Sequence, residues 1–155
     1  MKRGIQFHIP NAYGSFLGEI LKPIGISNYD WFVGGGESYV VVDDTLGESL
    51  FPNHAPCMTG EELQRIVEDQ KYYLIFADLK AFPRGDAVPD VQTYKDYAES
   101  DCQIALLVID SCYTAVYMKD AEIREELYNH VQRLGCERLD YITDENDNRT
   151  RISVW

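Results

Sequence analysis

Cys102-Gln-Ile-Ala-Leu-Leu-Val-Ile109, then Asp110-Ser-Cys112, then Tyr113-Thr-Ala-Val-Tyr117 is the passage on which the fold turns. The first run is almost continuously apolar, as a strand covered on both faces must be. A short polar break separates it from the second run, so the pair reads as a hairpin. Asp120 then opens a segment in which Ile123, Leu127, Val131 and Leu134 recur at helical spacing, and Gly135 suits the left-handed position past its end. Strand, turn, strand and covering helix form the predicted nucleus.

Working outward, Lys71-Tyr-Tyr-Leu-Ile-Phe-Ala-Asp78 is a second apolar run, expected near the sheet centre, with a loop from Leu79 to Pro89. Asp90 is expected to cap a short helix carrying Val91, Tyr94 and Tyr97. Upstream, Thr59-Gly-Glu-Glu62 matches a capping box before a helix whose inward face is Leu63, Ile66 and Val67. Residues 29–33 and 38–42 read as two strands joined in a hairpin by Gly34-Gly-Gly36-Glu37, and residues 43–58 as a long irregular connection. Alternation of Ile5, Phe7 and Ile9 marks an N-terminal strand. Asn11 is the expected cap of a helix bearing Tyr13, Phe16, Leu17, Ile20 and Leu21, stopped by Pro23. Residues 138–143 and 150–155 read as a last hairpin around Asp144-Glu-Asn-Asp-Asn148. The expectation is one α+β domain over 1–155, with a mostly antiparallel sheet of about seven to eight strands and three to four helices.

The charge balance excludes more than it assigns. Fourteen Lys and Arg face 26 Asp and Glu, a formal net charge of −12. Such a surface repels phosphate backbones, so generic nucleic-acid binding is disfavoured and encounter with basic proteins is favoured. No apolar stretch approaches the ~20 residues of a membrane span. The start Met1-Lys-Arg-Gly-Ile-Gln-Phe-His lacks the apolar core of an export signal, which points to the cytoplasm. Cys57, Cys102, Cys112 and Cys136 show no Cys-x-x-Cys spacing. Cys102 and Cys112 flank the hairpin and could pair across it, but free thiols are the expectation without export. No cofactor motif is present.

Each candidate site has a plainer competitor. Gly34, Gly35 and Gly36 could present amides to an anion, with Trp31 or Tyr39 stacking on a base and Arg149 or Arg151 supplying charge. A strand follows where a phosphate-binding motif needs a helix, so a glycine turn is the stronger expectation. Asp144, Asn146 and Asn148 are spaced like calcium ligands, but Arg149 and Trp155 stand where glycine and glutamate are needed; a solvated, ion-paired turn is favoured. His54 with Cys57 could form a nucleophile pair, though no orienting group is evident. Asp78 and Asp110 end the two most apolar strands and could share acid–base work if adjacent; aspartates that simply open the following turns are the stronger expectation.

Gly34-Gly-Gly-Glu-Ser-Tyr39, Tyr73-Leu-Ile-Phe-Ala-Asp-Leu-Lys-Ala81 and Tyr141 through Trp155 resemble a domain-of-unknown-function family of small acidic proteins from spore-forming Gram-positive bacteria. The resemblance runs nearly end to end. It implies a cytoplasmic bacterial protein, with phage association as a finer expectation, and brings no activity or catalytic residue. Eleven tyrosines beside the surplus acid lead to the first functional expectation: a non-enzymatic module docking on a basic partner protein, as inhibitor- or immunity-type proteins do. The second is a binder of a nucleotide-like small ligand. The third is an enzyme built on Asp78 and Asp110.

Overall fold

A computed structural model describes residues 1–34, 36–51 and 56–154. Gly35 and His54, both named above as candidates, and Trp155 lie outside the described residues. Among the described residues nine antiparallel strands build one sheet: β1 (Lys2–His8), β2 (Tyr29–Val33), β3 (Glu37–Val42), β4 (Thr45–Ser49), β5 (Cys57–Thr59), β6 (Tyr72–Pro83), β7 (Ile104–Ile109), β8 (Tyr113–Met118) and β9 (Glu137–Thr143). Four α-helices accompany them: α1 (Phe16–Ile20), α2 (Gly60–Glu68), α3 (Tyr94–Glu99) and α4 (Ala121–Leu134). The α+β class holds, with slightly more strands than expected.

The order β4-β3-β6-β7-β8-β1-β9 puts the β7–β8 hairpin in mid-sheet, and Ala105, Leu106, Leu107 and Val108 are fully buried there. Asp120 caps α4 by accepting from Glu122 N at 2.9 Å and Ile123 N at 3.2 Å, while Gly135 closes it at φ 79°. That positive φ is cheap only without a Cβ. Asp120→Ala should therefore lower stability by about 1 kcal/mol, read as a lower urea midpoint at unchanged slope. Thr59 caps α2 as expected, accepting from Glu62 N.

Several expectations need correcting, most of them around β6. That strand does not stop at Asp78 but runs twelve residues to Pro83. One edge pairs with β7; along the other lie β3, against residues 72–76, and β2, against residues 79–83. β2 and β3 are thus collinear along β6 and do not form a hairpin. Gly34 N donates to Asp78 O at 2.8 Å, continuing the ladder across the junction. A Cβ on Gly36 would lie 2.5 Å from Phe76 O, so glycine serves close approach to β6 there. The true hairpin partner of β3 is β4, hidden in the supposedly irregular stretch. Its two-residue turn uses Asp43 and Asp44 at φ 52° and 60°, the positive values that let a tight turn match strand twist.

The expected terminal hairpin is also absent among the described residues. Arg151 makes an isolated bridge to Thr93, Ile152 N donates to Gln92 O, and the last segment lies against α3 and its lead-in. Thr93, not Asp90, caps α3, and Ser15, not Asn11, precedes a shortened α1. Gly14 bridges Tyr72, which takes the expected first turn of α1 into extended backbone.

The sheet separates two apolar clusters. One face packs against α1, α2 and α4 through Leu17, Leu63, Val67, Leu127 and Val131. The other is covered by Val91, Tyr97 of α3, and Ile152. No described helix is long and apolar enough to cross a membrane.

Candidate functional site: a cationic cleft at the sheet end

Where β1 begins and β8 ends, the edge of the sheet lies between α3 on one face and α4 on the other. The cleft between them has a volume of about 540 Å³, within the range of small-molecule sites. Lys2 and Arg3 come from β1, Met118 and Lys119 from the end of β8, Ala121 and Arg124 from α4, and Tyr94, Tyr97 and Ala98 from α3. A register shift between Lys2 and Gly4 marks a β-bulge at Arg3. Bulges re-aim a side chain, and here Arg3 turns toward Tyr94, with its guanidinium 4.0 Å from the ring centroid.

Four side-chain cations therefore meet on a chain with a net charge of −12, and the Met1 ammonium joins them, 3.6 Å from Asp144. Two of the side chains are already balanced. Lys2 pairs with Glu125 at 3.0 Å, and Arg3 pairs with Asp144 at 2.8 Å and Asp147 at 3.2 Å. Hydrogen bonds from Tyr141 Oη and then from Lys2 hold the Glu125 carboxyl below its usual range, and the bond from Arg3 does the same for Asp144. Lys119 and Arg124 make no direct ion pair among the described residues. Lys119 Nζ donates to Ser100 O at 2.6 Å and sits 4.9 Å from the Tyr97 ring centroid. Arg124 Nη1 reaches Lys2 O at 3.5 Å.

Two buried side-chain polar atoms lack a hydrogen-bond partner among the described residues: Tyr97 Oη and Arg124 Nε. Both residues line this cleft. Tyr97 is only 3% exposed. Burial pushes its phenol well above the ordinary range, and the Arg124 charge pulls the other way. An unpaired buried donor costs about 1–3 kcal/mol, and folded proteins keep few of them. Two such atoms, one of them on the unpaired cation Arg124, on residues that line a cleft with Lys119 as a second unpaired cation, fit an anionic acceptor.

The residues singled out from sequence do not converge. Trp31 is fully buried and donates its indole N–H to Ile26 O at 2.9 Å, so neither ring face is open for stacking. Gly34 and Gly36 line a smaller hollow of about 170 Å³ with Ser38, Ser49 and Phe51, which contains neither Tyr39 nor either arginine. Tyr39 is half-buried on β3 opposite Ser49 and Tyr73. Arg149 lies in the final turn, where its N–H donates to Asp147 Oδ1, and Arg151 Nη2 donates to Gln92 Oε1.

The acidic turn 144–148 spends its oxygens inward: Asp147 accepts from Tyr117 Oη at 2.9 Å and from Arg3. Among the described residues no cluster of His, Cys, Asp and Glu could hold a metal. Cys102 and Cys112 stand at opposite ends of the β7–β8 hairpin, and all four cysteines are free. Burial pushes the Cys102 thiol up to about 12, where it stays protonated. Cys57, the expected partner of His54, is exposed.

Asp78 and Asp110 are not neighbours. Asp78 pairs in register with Leu107, three residues from Asp110, a displacement of about 10 Å along the strand. Asp78 instead meets Lys80 on the same face of β6, Nζ to Oδ1 at 2.6 Å, with the two side chains 4% and 0% exposed. Its other oxygen accepts from Val154 N at 3.4 Å. Burial keeps the Asp78 carboxyl above its usual range although Lys80 draws it down.

Sequence inspection singled out none of the cleft's four side-chain cations. They come from residues 2–3, 119 and 124, far apart along the chain. The available signal was Tyr94 and Tyr97 sharing one side of a short helix, joined to a basic start in an acidic protein.

Comparison with known proteins places the molecule. Residues 2–153 match the family described as "Protein of unknown function (DUF2691)". The chain is similar to "Uncharacterized protein YncE" of Bacillus subtilis (strain 168), 42% identical over 154 residues, covering 99% of this chain and 100% of that protein. No solved structure matches. The chain belongs to this family, and the bacterial setting implied by the resemblance holds.

Proposed function

We propose that this family member is a non-enzymatic binding protein that holds a small anionic ligand in the cleft between α3 and α4. The observation that carries the reading is the pair of orphaned polar atoms, Tyr97 Oη and Arg124 Nε, buried on two residues that line one cation-bearing cleft. An acceptor on the ligand satisfies both, and the surrounding low dielectric strengthens each contact. The nucleotide-like class expected from sequence suits a cleft of this size with tyrosine and guanidinium surfaces, at a different place from the glycines.

The rival reading, docking on a basic protein, relied on exposed phenol rings. Of eleven tyrosines only Tyr13 is exposed, at 41%. The acid surface remains and the aromatic anchors are largely sheltered, so the ligand reading is preferred. A cytoplasmic setting suits the four free thiols, since disulfides persist in oxidising compartments.

Tyr97→Phe separates a ligand site from ordinary packing. The hydroxyl has no protein partner, so removing it should leave the unliganded stability unchanged or raise it by up to about 1 kcal/mol. The same change should weaken an anionic ligand about tenfold or more, the cost of one hydrogen bond to a charged group. Thermal shift with a panel of nucleotides and simple organic anions, followed by calorimetric titration of both proteins, reads the two effects. A stability loss without any ligand effect would assign the hydroxyl to the fold and sink the proposal.

A further inference from the structure

Resting on the cleft as a ligand site, we infer that its ligand is a phosphomonoester with a compact planar body, bound as a dianion, and that polyphosphates are discriminated against. The inference follows from a charge count. Of the four side-chain cations in the cleft, Lys2 is neutralised by Glu125, and Arg3 faces two carboxylates, Asp144 and Asp147. The Met1 ammonium, 3.6 Å from Asp144, lines the same cleft, so five cations face three carboxylates and two positive charges are left over; Lys119 and Arg124 are the two cations without a direct carboxylate partner among the described residues. A phosphomonoester carries about −1.5 to −2 near neutral pH, which matches them. A further phosphate would extend into a field set by a net charge of −12 and meet Glu125, Asp144 and Asp147 already beside Lys2 and Arg3.

The hydrogen-bond inventory agrees. Tyr97 Oη, on a side chain 3% exposed, and Arg124 Nε are unfilled donors buried on two residues that line the cavity, and a phosphoryl group has three acceptor oxygens. Two can meet these donors while the third faces Lys119. Arg3 and Tyr94, stacked at 4.0 Å, form a flat wall for the ester's body, and Met118, Ala98 and Ala121 supply the apolar remainder. Tyr97 and Lys119 thus set the phosphate end, and Arg3 with Tyr94 the body end.

The test is a charge series on one scaffold, titrated into the full chain at low salt: adenosine, 5′-carboxyadenosine, AMP, ADP and ATP, with phenyl phosphate as a second planar body. The expected order has AMP or phenyl phosphate tightest, at least tenfold tighter than adenosine and at least tenfold tighter than ATP. Lys119→Met should weaken the phosphomonoester about tenfold and the monoanionic carboxylate at most twofold, because it removes only the second charge. Lys119 is exposed, so its replacement leaves the fold intact. If affinity rises from AMP through ATP, or if Lys119→Met affects both ligand charges equally, the charge match is overturned while the cleft remains a ligand site. If no member of the series binds, and Tyr97→Phe leaves every titration unchanged, the cleft reading and this inference both fall.

Discussion

Asp78→Ala is expected to cost about 3–5 kcal/mol of folding stability, because it strands a charged Lys80 in the interior. Lys80 is fully buried, and its ammonium lies 2.6 Å from the Asp78 carboxylate; Phe32, with its ring centroid 5.8 Å away, is the aromatic neighbour. An unpaired ammonium there must shed its proton or pull water inward, and either route is expensive. The paired replacement Asp78→Leu with Lys80→Met should behave very differently. Taking both charges away removes the desolvation cost with the attraction, so the double variant should lie near the parent or above it by about 1–4 kcal/mol. Urea unfolding of the parent, Asp78→Leu, Lys80→Met and the double variant closes a double-mutant cycle, and a large favourable coupling is the expected result. If Asp78→Ala costs less than about 1 kcal/mol, Lys80 does not depend on this carboxylate, and the pair has been misjudged.

That buried pair also shows why part of the fold was illegible. Local pattern sufficed where each element answered to its own residues. The β7–β8 hairpin is apolar on both faces, Asp120 and Thr59 cap helices with side chains that bond the amides they precede, and Gly135 takes the one conformation glycine makes cheap. Lys80 and Pro83 broke the apolar pattern of β6, so the strand seemed to end at Asp78. Its second half is held by β2 on one side and β7 on the other, which only tertiary pairing reveals. The error then spread, because two strands laid end to end along a long neighbour look the same in sequence as two strands folded back in a hairpin. The glycines between them answer to a neighbour and not to a turn: β6 backbone passes too close for a Cβ at Gly36.

The cleft was harder still. A basic residue reads as a solvated surface group until its counter-ions are known. Arg3 and Lys2 turn out to be paired, and Arg124 and Lys119 are not, a distinction that exists only in three dimensions. Orphaned donors are invisible in a sequence altogether, since Tyr97 looks like any core tyrosine on an amphipathic helix. Half the sequence argument survives in altered form. The formal net charge of −12 makes a cleft lined by Lys2, Arg3, Lys119 and Arg124 stand out against the rest of the chain.

Alkaline unfolding should be unusually steep, and three buried phenols are the reason. Tyr72, Tyr97 and Tyr117 are each at most 3% exposed, and burial raises the pKa of all three well above the ordinary tyrosine value, with Asp147 adding to the effect at Tyr117. A phenol in the unfolded chain ionises near about pH 10. Above that point the unfolded state has lost protons that the folded state keeps, so stability is level below about pH 10 and falls as pH rises further. Each such phenol contributes a slope of about 1.4 kcal/mol per pH unit, and three together about 4. A native state worth about 5–15 kcal/mol is therefore consumed within a few pH units. Tyr72→Phe separates this linkage from general alkaline damage. The Tyr72 hydroxyl donates to Val67 O at 2.7 Å and accepts from Leu17 N at 3.0 Å and Gly18 N at 3.2 Å, so it ties α1 to α2 through the sheet. Removing it leaves those groups unpaired and should cost about 3 kcal/mol at neutral pH. The same variant should lose stability more slowly above about pH 10, by about 1.4 kcal/mol per pH unit, because one of the three proton-holding groups is gone. Urea unfolding across that range, with phenolate absorbance recorded in parallel, measures both. An unchanged alkaline slope in Tyr72→Phe would mean that the Tyr72 phenol ionises in the folded state as readily as in the unfolded one, against its burial.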